Sequence, residues 1–420
     1  MRLILFKNTL FLTLTLLISC ANTGGDKTAF AKAETKQPTT SNVVVIDSSI
    51  TVGANRTELY LPLLANKNVG VVTNKSGLIF TETSHTEAQS THLVDSLLST
   101  GVTIKKVFSP EHGFRGNIDA GEKVKDGKDP KTGLNIISLY GKNKKPTAQQ
   151  LEGVDVLLFD IQDVGVRFYT YISTLTYVME AAAESGISVI VLDRPNPNAH
   201  YIDGPTLEKE HTSFLGMHEI PLVYGMTIGE YAKMVNGEGW LKDKITVDLT
   251  VIPLKNWSYQ KKYALPTRPS PNLPNDKSIN LYPSLGFFEG TTVNAGRGTE
   301  MQFQIFGAPD FPKEHFSFLY TPQPNFGSKS PKHKGVTCNG KDLRDEAYMN
   351  TVNLEWLIEA YAASSKKDTF FKTASFTLHA GSTQLQQDIE AGYTFKEIKR
   401  KWLPGIERFK KIRSKYLMYE

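Results

Sequence analysis

The sequence has 420 residues but only two cysteines, Cys20 and Cys338. Two thiols cannot build a disulfide framework or a four-thiolate zinc site within one chain. The formal net charge is only +5, and two of the positive charges, Arg2 and Lys7, lie in the first ten residues. A charge this small argues against nucleic acid as a partner.

Common nucleotide-binding and catalytic motifs are also missing. No Gly-x-Gly-x-x-Gly follows the first predicted strand, and the chain contains no Gly-Lys-Ser/Thr loop and no Gly-x-Ser-x-Gly elbow. Dinucleotide and nucleoside triphosphate binding, and a serine hydrolase, are therefore disfavoured. The nine histidines include no His-x-x-x-His or comparable ligand pair, so we expect neither an essential metal nor another cofactor.

The first twenty residues predict export. Arg2 and Lys7 precede an apolar run, residues 10–18, that is too short to span a bilayer. The run ends in Leu-Ile-Ser-Cys, which resembles the bacterial lipobox. The resemblance implies a lipoprotein signal peptide over residues 1–20, lipid attachment to Cys20 and a membrane-anchored protein facing the periplasm or the cell surface. The alternative is a cysteine that follows an ordinary signal by chance.

The polar residues 21–56 predict a flexible tether, because they show little helical or strand periodicity. Beyond it, short apolar runs alternate with helical stretches, which predicts an α/β fold with a doubly wound parallel sheet over residues 57–265. Four prolines then fall within residues 266–274. We interpret them as the boundary of a smaller α+β domain, residues 270–420.

Polar and ionisable residues follow five of the predicted strands. Ligands of open parallel sheets bind beyond the carboxyl ends of the strands, so these residues favour a site, although loops are polar in any case. The strand-end residues are Asn74, Ser109-Pro-Glu-His-Gly113, Tyr140-Gly141, Asp160-Ile-Gln-Asp163 and Asp193-Arg-Pro-Asn196.

Several long motifs resemble one family. They are FSPEHGFRGN at 108–117, DVLLFDIQDVGVRFYTYISTL at 155–175, LDRPNPN at 192–198 and FEGTTVNAGRGT at 288–299. Together they resemble the exo-β-N-acetylmuramidases, the NamZ-like peptidoglycan hexosaminidases, from about residue 57 to residue 420. The resemblance implies a Rossmann-like N-terminal domain, a smaller C-terminal domain and an active site in the cleft between them. It also implies removal of a terminal N-acetylmuramic acid from the non-reducing end of peptidoglycan fragments.

Cleavage of a glycosidic bond needs a carboxylic acid that protonates the leaving oxygen. Glu111 is our candidate, because it lies in a Pro-Glu-His-Gly turn at a strand end and His112 can tune its protonation. The structural alternative is that Glu111 caps a helix or pairs with Arg115 at the surface.

The second catalytic group is left open. Asp160 and Asp163 follow the most apolar strand and can act as catalytic carboxylates, bind a metal or support the loop. The acetamido group of the substrate can also participate, with an aspartate that orients it. Glu289 is a further candidate for the second carboxylate.

The expected substrate carries a lactyl carboxylate, which the bidentate fork of an arginine recognises well. Arg115, Arg167, Arg194 and Arg297 lie in the family motifs and are candidates, with surface ion pairs as the alternative. The other predicted binding residues are Asn74, His112, Tyr169, Asn196, Asn198, Glu289 and Glu300. For Tyr169 the alternative is a place in the core, and for the two later asparagines it is a role in shaping their turn.

The sequence thus predicts a lipid-anchored glycosidase that releases N-acetylmuramic acid from MurNAc-GlcNAc fragments for cell-wall turnover or recycling. Two alternatives remain. One is a lipoprotein that only binds cell-wall sugar and has no use for an acid at Glu111. The other is a metal-dependent hydrolase with Asp160, Asp163 and His112 as ligands.

Overall fold

A computed structural model describes residues 49–81, 85–116 and 126–420 of the chain. The predicted signal peptide, its lipid attachment site Cys20 and tether residues 21–48 lie outside the described residues. Within the described ranges, none of the helices combines the length and the apolar character needed to cross a membrane.

Seven strands form the main sheet. In chain order, the strands of the described chain are β1 (Val69–Thr73), β2 (Leu78–Phe80), β3 (Ser90–His92), β4 (Ile104–Ser109), β5 (Gly127–Lys128), β6 (Asn135–Ser138), β7 (Val156–Asp160), β8 (Ser188–Leu192), β9 (Leu249–Ile252), β10 (Ile305–Ala308), β11 (Phe318–Tyr320) and β12 (Cys338–Asp342). The main sheet has the order β5-β6-β4-β1-β7-β8-β9, and β5 is its antiparallel edge. From β1 the chain winds outward through β4 and β6, then crosses to the other side of β1 at β7. The parallel strands therefore follow the Rossmann order, and the predicted doubly wound fold is confirmed.

Both faces of this sheet are buried, which explains its nearly continuous apolar strands. Alternate side chains point to opposite faces. Leu157 and Phe159 of β7 belong to one hydrophobic cluster, whereas Val156 and Leu158 belong to another on the opposite face.

Eleven α-helices are assigned in the described chain. They are α1 (Thr57–Leu64), α2 (Leu93–Ser99), α3 (Ala148–Leu151), α4 (Tyr171–Ser185), α5 (Ile228–Gly237), α6 (Asp276–Leu285), α7 (Glu355–Ala363), α8 (Lys367–Phe370), α9 (Thr373–Ala380), α10 (Gln384–Glu390) and α11 (Phe395–Arg413). Helix α4 ends at Gly186, whose φ of 67° is left-handed, as the sequence predicts. The predicted capping box of Thr227 and Glu230 begins α5.

The C-terminal part contains a three-stranded antiparallel sheet, β10-β12-β11, together with helices α7 to α11. This confirms the predicted α+β class of the second part. Its aromatic side chains join the larger hydrophobic cluster of the first part, which extends from Val72 to Phe409. The described residues form one compact unit, so the domain boundary at 265–270 stays a prediction.

The predicted tether, residues 21–56, extends too far along the chain. Ile50 and Val52 are fully buried, and Thr51 pairs with Lys255. Gly53 packs so closely on the backbone of Asp193 and Ile252 that a Cβ would lie 2.5 Å from the Asp193 nitrogen. The fold therefore includes residues 50–56, because alternate apolar side chains and this glycine attach them to the sheet.

The end of α11 and the segment after it return to the main sheet. Arg413 donates hydrogen bonds to the Gly225 carbonyl, and the Met418 amide donates to Glu230 Oε1 at 2.7 Å. Tyr419 donates its hydroxyl to the buried carboxylate of Asp193, at the end of β8, with an O–O distance of 2.6 Å. The last residues of the chain thus complete the hydrogen bonding of the first sheet.

The pH dependence of stability tests the burial of Asp193 beneath Tyr419. Burial raises the pKa of Asp193 from its ordinary 3.8 to about 7, although Tyr419, Thr227 and Gly229 donate hydrogen bonds that lower it. The folded chain therefore keeps a proton that the unfolded chain loses, and this stabilisation is lost as the pH rises from about 4 to about 7. We expect the urea midpoint of Asp193→Asn to fall less over this range than that of the wild type. Parallel pH profiles of the two proteins contradict the prediction.

Candidate active site

The candidate site lies at the carboxyl edge of the main sheet, where the winding direction changes. Strands β4 and β7 flank β1 on its two sides, and Thr73 at the end of β1 is in register with Asp160 at the end of β7. The loops that follow β1, β4 and β7 therefore leave the sheet side by side. This is the switch point at which doubly wound sheets bind their ligands.

Glu111 lies on a tight turn directly after β4. The Gly113 amide donates a hydrogen bond to the Pro110 carbonyl at 3.1 Å, and His112 has a φ of 73° in the left-handed region. A positive φ at the third position is typical of a type II turn but unusual for histidine. The half-buried Glu111 carboxylate accepts a hydrogen bond from the Tyr140 hydroxyl at 3.1 Å. The turn and Tyr140 therefore fix the position of the predicted acid.

A row of tyrosines extends from Glu111 into the C-terminal part. Tyr171 donates to the Glu111 carbonyl at 3.4 Å, and its ring lies 4.9 Å from Tyr169, which lies 6.2 Å from Tyr282. Burial raises the pKa of Tyr282; the negative charges of Glu289 and Glu111 raise it further, and Arg297 lowers it. We call this row of Tyr171, Tyr169 and Tyr282 the tyrosine floor. Tyr282 is thus close enough to be affected both by the charge of Glu111 and by the charges of Glu289 and Arg297.

Asp163 is a buried carboxyl group beside the same floor. Its Oδ2 accepts hydrogen bonds from the Tyr224 hydroxyl and from the Gly165 amide, whereas its Oδ1 has no partner among the described residues. Burial raises the pKa of Asp163 to about 6, although these donors lower it. A carboxyl group with such a pKa exchanges its proton close to neutral pH.

The C-terminal part contributes a charged cluster. Arg297 Nε lies 3.1 Å from Glu289 Oε1, and both side chains are partly exposed, at 29% and 25%. Burial opposes ionisation of Glu289, but the positive charges of Arg297 and Lys332 outweigh it, so the pKa of Glu289 lies below its ordinary value. Glu289 is therefore ionised at neutral pH.

Asp160 and Arg194, predicted as catalytic and binding residues, instead form a buried ion pair with each other. Two nitrogens of Arg194 contact the two carboxylate oxygens at 2.6 and 2.9 Å, and the side chains are 2% and 0% exposed. Arg194 also donates to the Leu78 carbonyl at 2.9 Å. Neither predicted role is supported, because each charge is neutralised by the other below the surface.

Two further arginines are also occupied internally. Arg167 is fully buried and donates to four backbone carbonyls, among them Pro205 at 2.7 Å and Ala380 at 2.7 Å. Arg115 bonds two carboxylates, Asp95 and Asp129, at distances from 2.7 to 3.2 Å. The prediction that either arginine binds substrate is therefore unsupported. The structural alternative stated above was an ion pair between Arg115 and Glu111. Arg115 instead pairs with the two aspartates.

The predicted asparagines are likewise buried and bonded. Asn196 donates to the Met226 carbonyl at 2.8 Å, and Asn198 donates to the carbonyls of Val164 and Ile279. These two residues shape their turn, the alternative stated for them above. Asn74 is also buried, and its Oδ1 accepts hydrogen bonds from Ser76.

The described residues do not assemble the ligand set that a metal-dependent hydrolase with Asp160, Asp163 and His112 requires. Asp160 is bound to Arg194, and Asp160, Asp163 and His112 are not brought together there as possible ligands. The group of three that the described residues do place together, Glu208 with Glu210 and His211, lies at the surface, where acidic groups are common without an ion. Glu300 is exposed, and His112 is buried in the turn after Glu111.

Sequence reasoning missed several residues of the site. Tyr224, Tyr282 and Lys332 contact the predicted groups but lie at isolated positions outside the strand-end motifs. Tyr140 is among the predicted strand-end residues but was given no role. Tyr140 follows a predicted strand, and that signal alone was available for it. Two surface cavities of about 530 and 610 Å³ lie beside α11, and no predicted site residue lines them.

Comparison with known proteins identifies the family. The model of the N-terminal part of the exo-β-N-acetylmuramidase NamZ matches residues 69–277, and the model of the C-terminal part matches residues 280–419. The chain belongs to the NamZ family. Its sequence is 39% identical over 379 residues to the peptidoglycan β-N-acetylmuramidase NamZ of Bacillus subtilis (strain 168), and the match covers 86% of this chain and 89% of the relative.

Two solved structures from Bacteroides fragilis NCTC 9343 share the fold with this NamZ-family chain. Both are described as DUF1343 family proteins. One is 41% identical with a TM-score of 0.80 and covers 88% of this chain and 99% of its own. The other is 27% identical with a TM-score of 0.74 and covers 89% and 99%.

Removal of Arg194 tests the buried ion pair. We expect Arg194→Met to lower the free energy of unfolding by about 3–5 kcal/mol, because Asp160 is left buried without a counter-charge. The double variant Asp160→Asn/Arg194→Met should recover part of this loss, as measured by urea unfolding. Arg344→Met, which breaks an exposed pair with Asp342, serves as the control and should change little. Equal effects of Arg194→Met and the control contradict a structural role for the pair.

Proposed function

We propose that this chain hydrolyses the terminal, non-reducing β-N-acetylmuramic acid of peptidoglycan fragments, with Glu111 as the acid. The observation that carries the proposal is the position of Glu111. It lies half-buried on a fixed turn at the switch point of the sheet, and the tyrosine floor connects it to the charged cluster of the C-terminal part. Membership of the NamZ family supports the substrate and the reaction.

The hydrogen bond from Tyr140 orients the Glu111 carboxyl group. Tyr140 donates to Oε1 of Glu111, so the proton of the neutral acid is left to Oε2. That oxygen then transfers its proton to the glycosidic oxygen as the bond to the leaving sugar breaks. Proton transfer from a positioned acid typically contributes about 10²–10⁴-fold to the rate.

The positive charge that develops on the sugar needs a second group. Asp160 is engaged by Arg194, which favours Asp163, Glu289 or the acetamido group of the substrate for this role. Asp163 is buried beside the floor and Glu289 is ionised at the opposite end of it. A protein that only binds sugar has no need of a second catalytic carboxyl group beside Glu111.

The acid role of Glu111 is tested with two leaving groups. On a 4-nitrophenyl β-N-acetylmuramic acid glycoside or a natural disaccharide, we expect Glu111→Gln to lower kcat by about 10²–10⁴-fold. On the corresponding 2,4-dinitrophenyl glycoside the loss should be far smaller, because this leaving group departs without a proton. Glu355→Gln, at an exposed position, is the matched control.

The same assay separates the alternatives. If Glu111→Gln lowers kcat equally for both leaving groups, the acid must be another residue. Binding of the sugar without release by the wild type supports a binding lipoprotein instead of an enzyme. Loss of activity after treatment with EDTA restores the metal-dependent hydrolase.

We further propose that the chain is an exported lipoprotein anchored through Cys20. Support comes from the charged start, the short apolar run and the Leu-Ile-Ser-Cys sequence of residues 17–20. The anchor places the enzyme at the membrane that faces its cell-wall substrate, for turnover or recycling of that wall.

Labelling of the two cysteines tests the anchor. In a bacterial host supplied with radioactive palmitate, the wild type should be labelled and should sediment with membranes, and Cys20→Ala should lose the label. Cys338→Ala is the control, because this cysteine is buried in β12 and should not affect labelling. Unchanged label in Cys20→Ala sinks the proposal.

A further inference from the structure

Arg297 differs from the other three predicted arginines in having part of its guanidinium available. Arg115, Arg167 and Arg194 are each bound by several internal acceptors, as described above. Arg297 makes its ion pair through Nε, at 3.1 Å from Glu289. Within the described residues its two terminal nitrogens donate no hydrogen bond, and 29% of the side chain is exposed. Those two nitrogens form the end of the fork that binds a carboxylate in bidentate geometry.

The loop that carries Arg297 is held in one conformation. Gly296 and Gly298 on either side have φ values of 77° and 82°, in the left-handed region that glycine adopts without strain. A Cβ on Gly296 would lie 2.3 Å from the Met301 carbonyl oxygen, so no other residue fits there. The guanidinium itself lies over the ring of Phe303, with its central carbon 5.6 Å from the ring centroid. Arg297 is therefore positioned before any ligand arrives.

A second cation, Lys332, is fixed beside this loop. The Asn294 side-chain amide donates to the carbonyls of both Arg297 and Lys332, each at 3.0 Å, and so ties the two backbones together. Lys332 Nζ donates to three backbone carbonyls, those of Phe288, Glu289 and Val293. The ammonium is thus held inside the cluster and acts through its charge. Burial lowers the pKa of Lys332 to about 8, which still leaves it mostly charged at neutral pH.

Two cations therefore share one carboxylate, Glu289, and the cluster carries an excess of positive charge. Such a partly buried site attracts an anion that supplies two oxygens. The opposite end of the tyrosine floor holds Glu111. A ligand that fits both ends must present a glycosidic oxygen to the acid and a carboxylate to the cations.

We infer that Arg297 is the specificity-determining residue of the site: its terminal nitrogens bind the lactyl carboxylate of N-acetylmuramic acid, with Lys332 strengthening the positive field. The inference rests on the proposed function, since it assigns one group of the proposed substrate. N-acetylglucosamine lacks the lactyl group and leaves the fork empty. The site thus distinguishes the two alternating sugars of peptidoglycan by a charge.

Binding of free sugars tests this assignment without depending on turnover. Isothermal calorimetry with the full chain should show tight binding of N-acetylmuramic acid and weaker binding of N-acetylglucosamine and of the lactyl amide, the uncharged analogue of the same shape. In Arg297→Met the affinity for N-acetylmuramic acid should fall about 10- to 100-fold, to the level of the other two sugars. Arg297→Lys should be intermediate, because it keeps the charge but loses the fork.

A control variant and a stability measurement accompany the binding experiment. Arg344→Met, remote from the cluster in sequence and paired with Asp342, should bind all three sugars as the wild type does. Arg297→Met should keep the wild-type melting temperature, which separates lost binding from lost folding; if it unfolds, Arg297→Lys and Arg297→Gln carry the same comparison.

The possible results separate the two proposals. An undiminished preference for the acid over its amide in Arg297→Met overturns the inference, as does a wild type that fails to bind N-acetylmuramic acid. Arg297-dependent binding by a wild type that releases no sugar supports the inference and overturns the proposed hydrolase. If the wild type hydrolyses the substrate and Arg297→Met keeps the preference for N-acetylmuramic acid over its lactyl amide, the proposed hydrolase is supported and the inference about Arg297 is overturned.

Discussion

The site depends on one buried ion pair, Asp160 with Arg194, at the ends of β7 and β8. Charges taken out of water are tolerated only when each is matched closely, so these two strand ends have a single relative position. Arg194 also bonds the Leu78 carbonyl, and the Thr73 hydroxyl bonds the Asp160 carbonyl. The pair therefore fixes β1, β7, β8 and the β2 hairpin as one rigid edge, and the loops with Glu111 and Asp163 extend from that edge.

The rigid edge leaves the chemistry to a few side chains. Many polar residues there bond one another or the backbone: the Asn198 amide donates to Asn196 Oδ1, and the Asn198 side chain donates to the Val164 carbonyl. What remains partly exposed is Glu111 at one end and the pair Glu289 and Arg297 at the other. The two ends come from different parts of the chain and are connected through Tyr282. Thus the candidate site draws on residues of both parts of the chain, and a cleft between two domains stays a prediction.

The sequence predicts the sheet well because buried parallel strands are apolar over their whole length, as in β7, and because Gly186 and the Thr227 capping box mark helix ends. It does not predict the hairpin of β2 and β3, whose three-residue strands are too short to show a period. Among site residues, position at a strand end identifies Glu111 but also Asp160, because the same pattern serves a ligand site and a buried ion pair. Whether the terminal nitrogens of an arginine can bind a ligand depends on its partners in the folded chain, such as Asp95 and Asp129 for Arg115. Likewise, Asn294 holds the backbone of Lys332 beside that of Arg297. Both arrangements arise from three-dimensional packing, which the sequence does not show.

The hydrogen bond from Tyr419 to Asp193 spans 226 positions of sequence, and this separation constrains the order of events during synthesis. All seven strands of the main sheet have been made once residue 252 leaves the ribosome, yet the buried Asp193 carboxylate still lacks one of its donors. The sheet therefore reaches its full stability only after the C-terminal helix has been added.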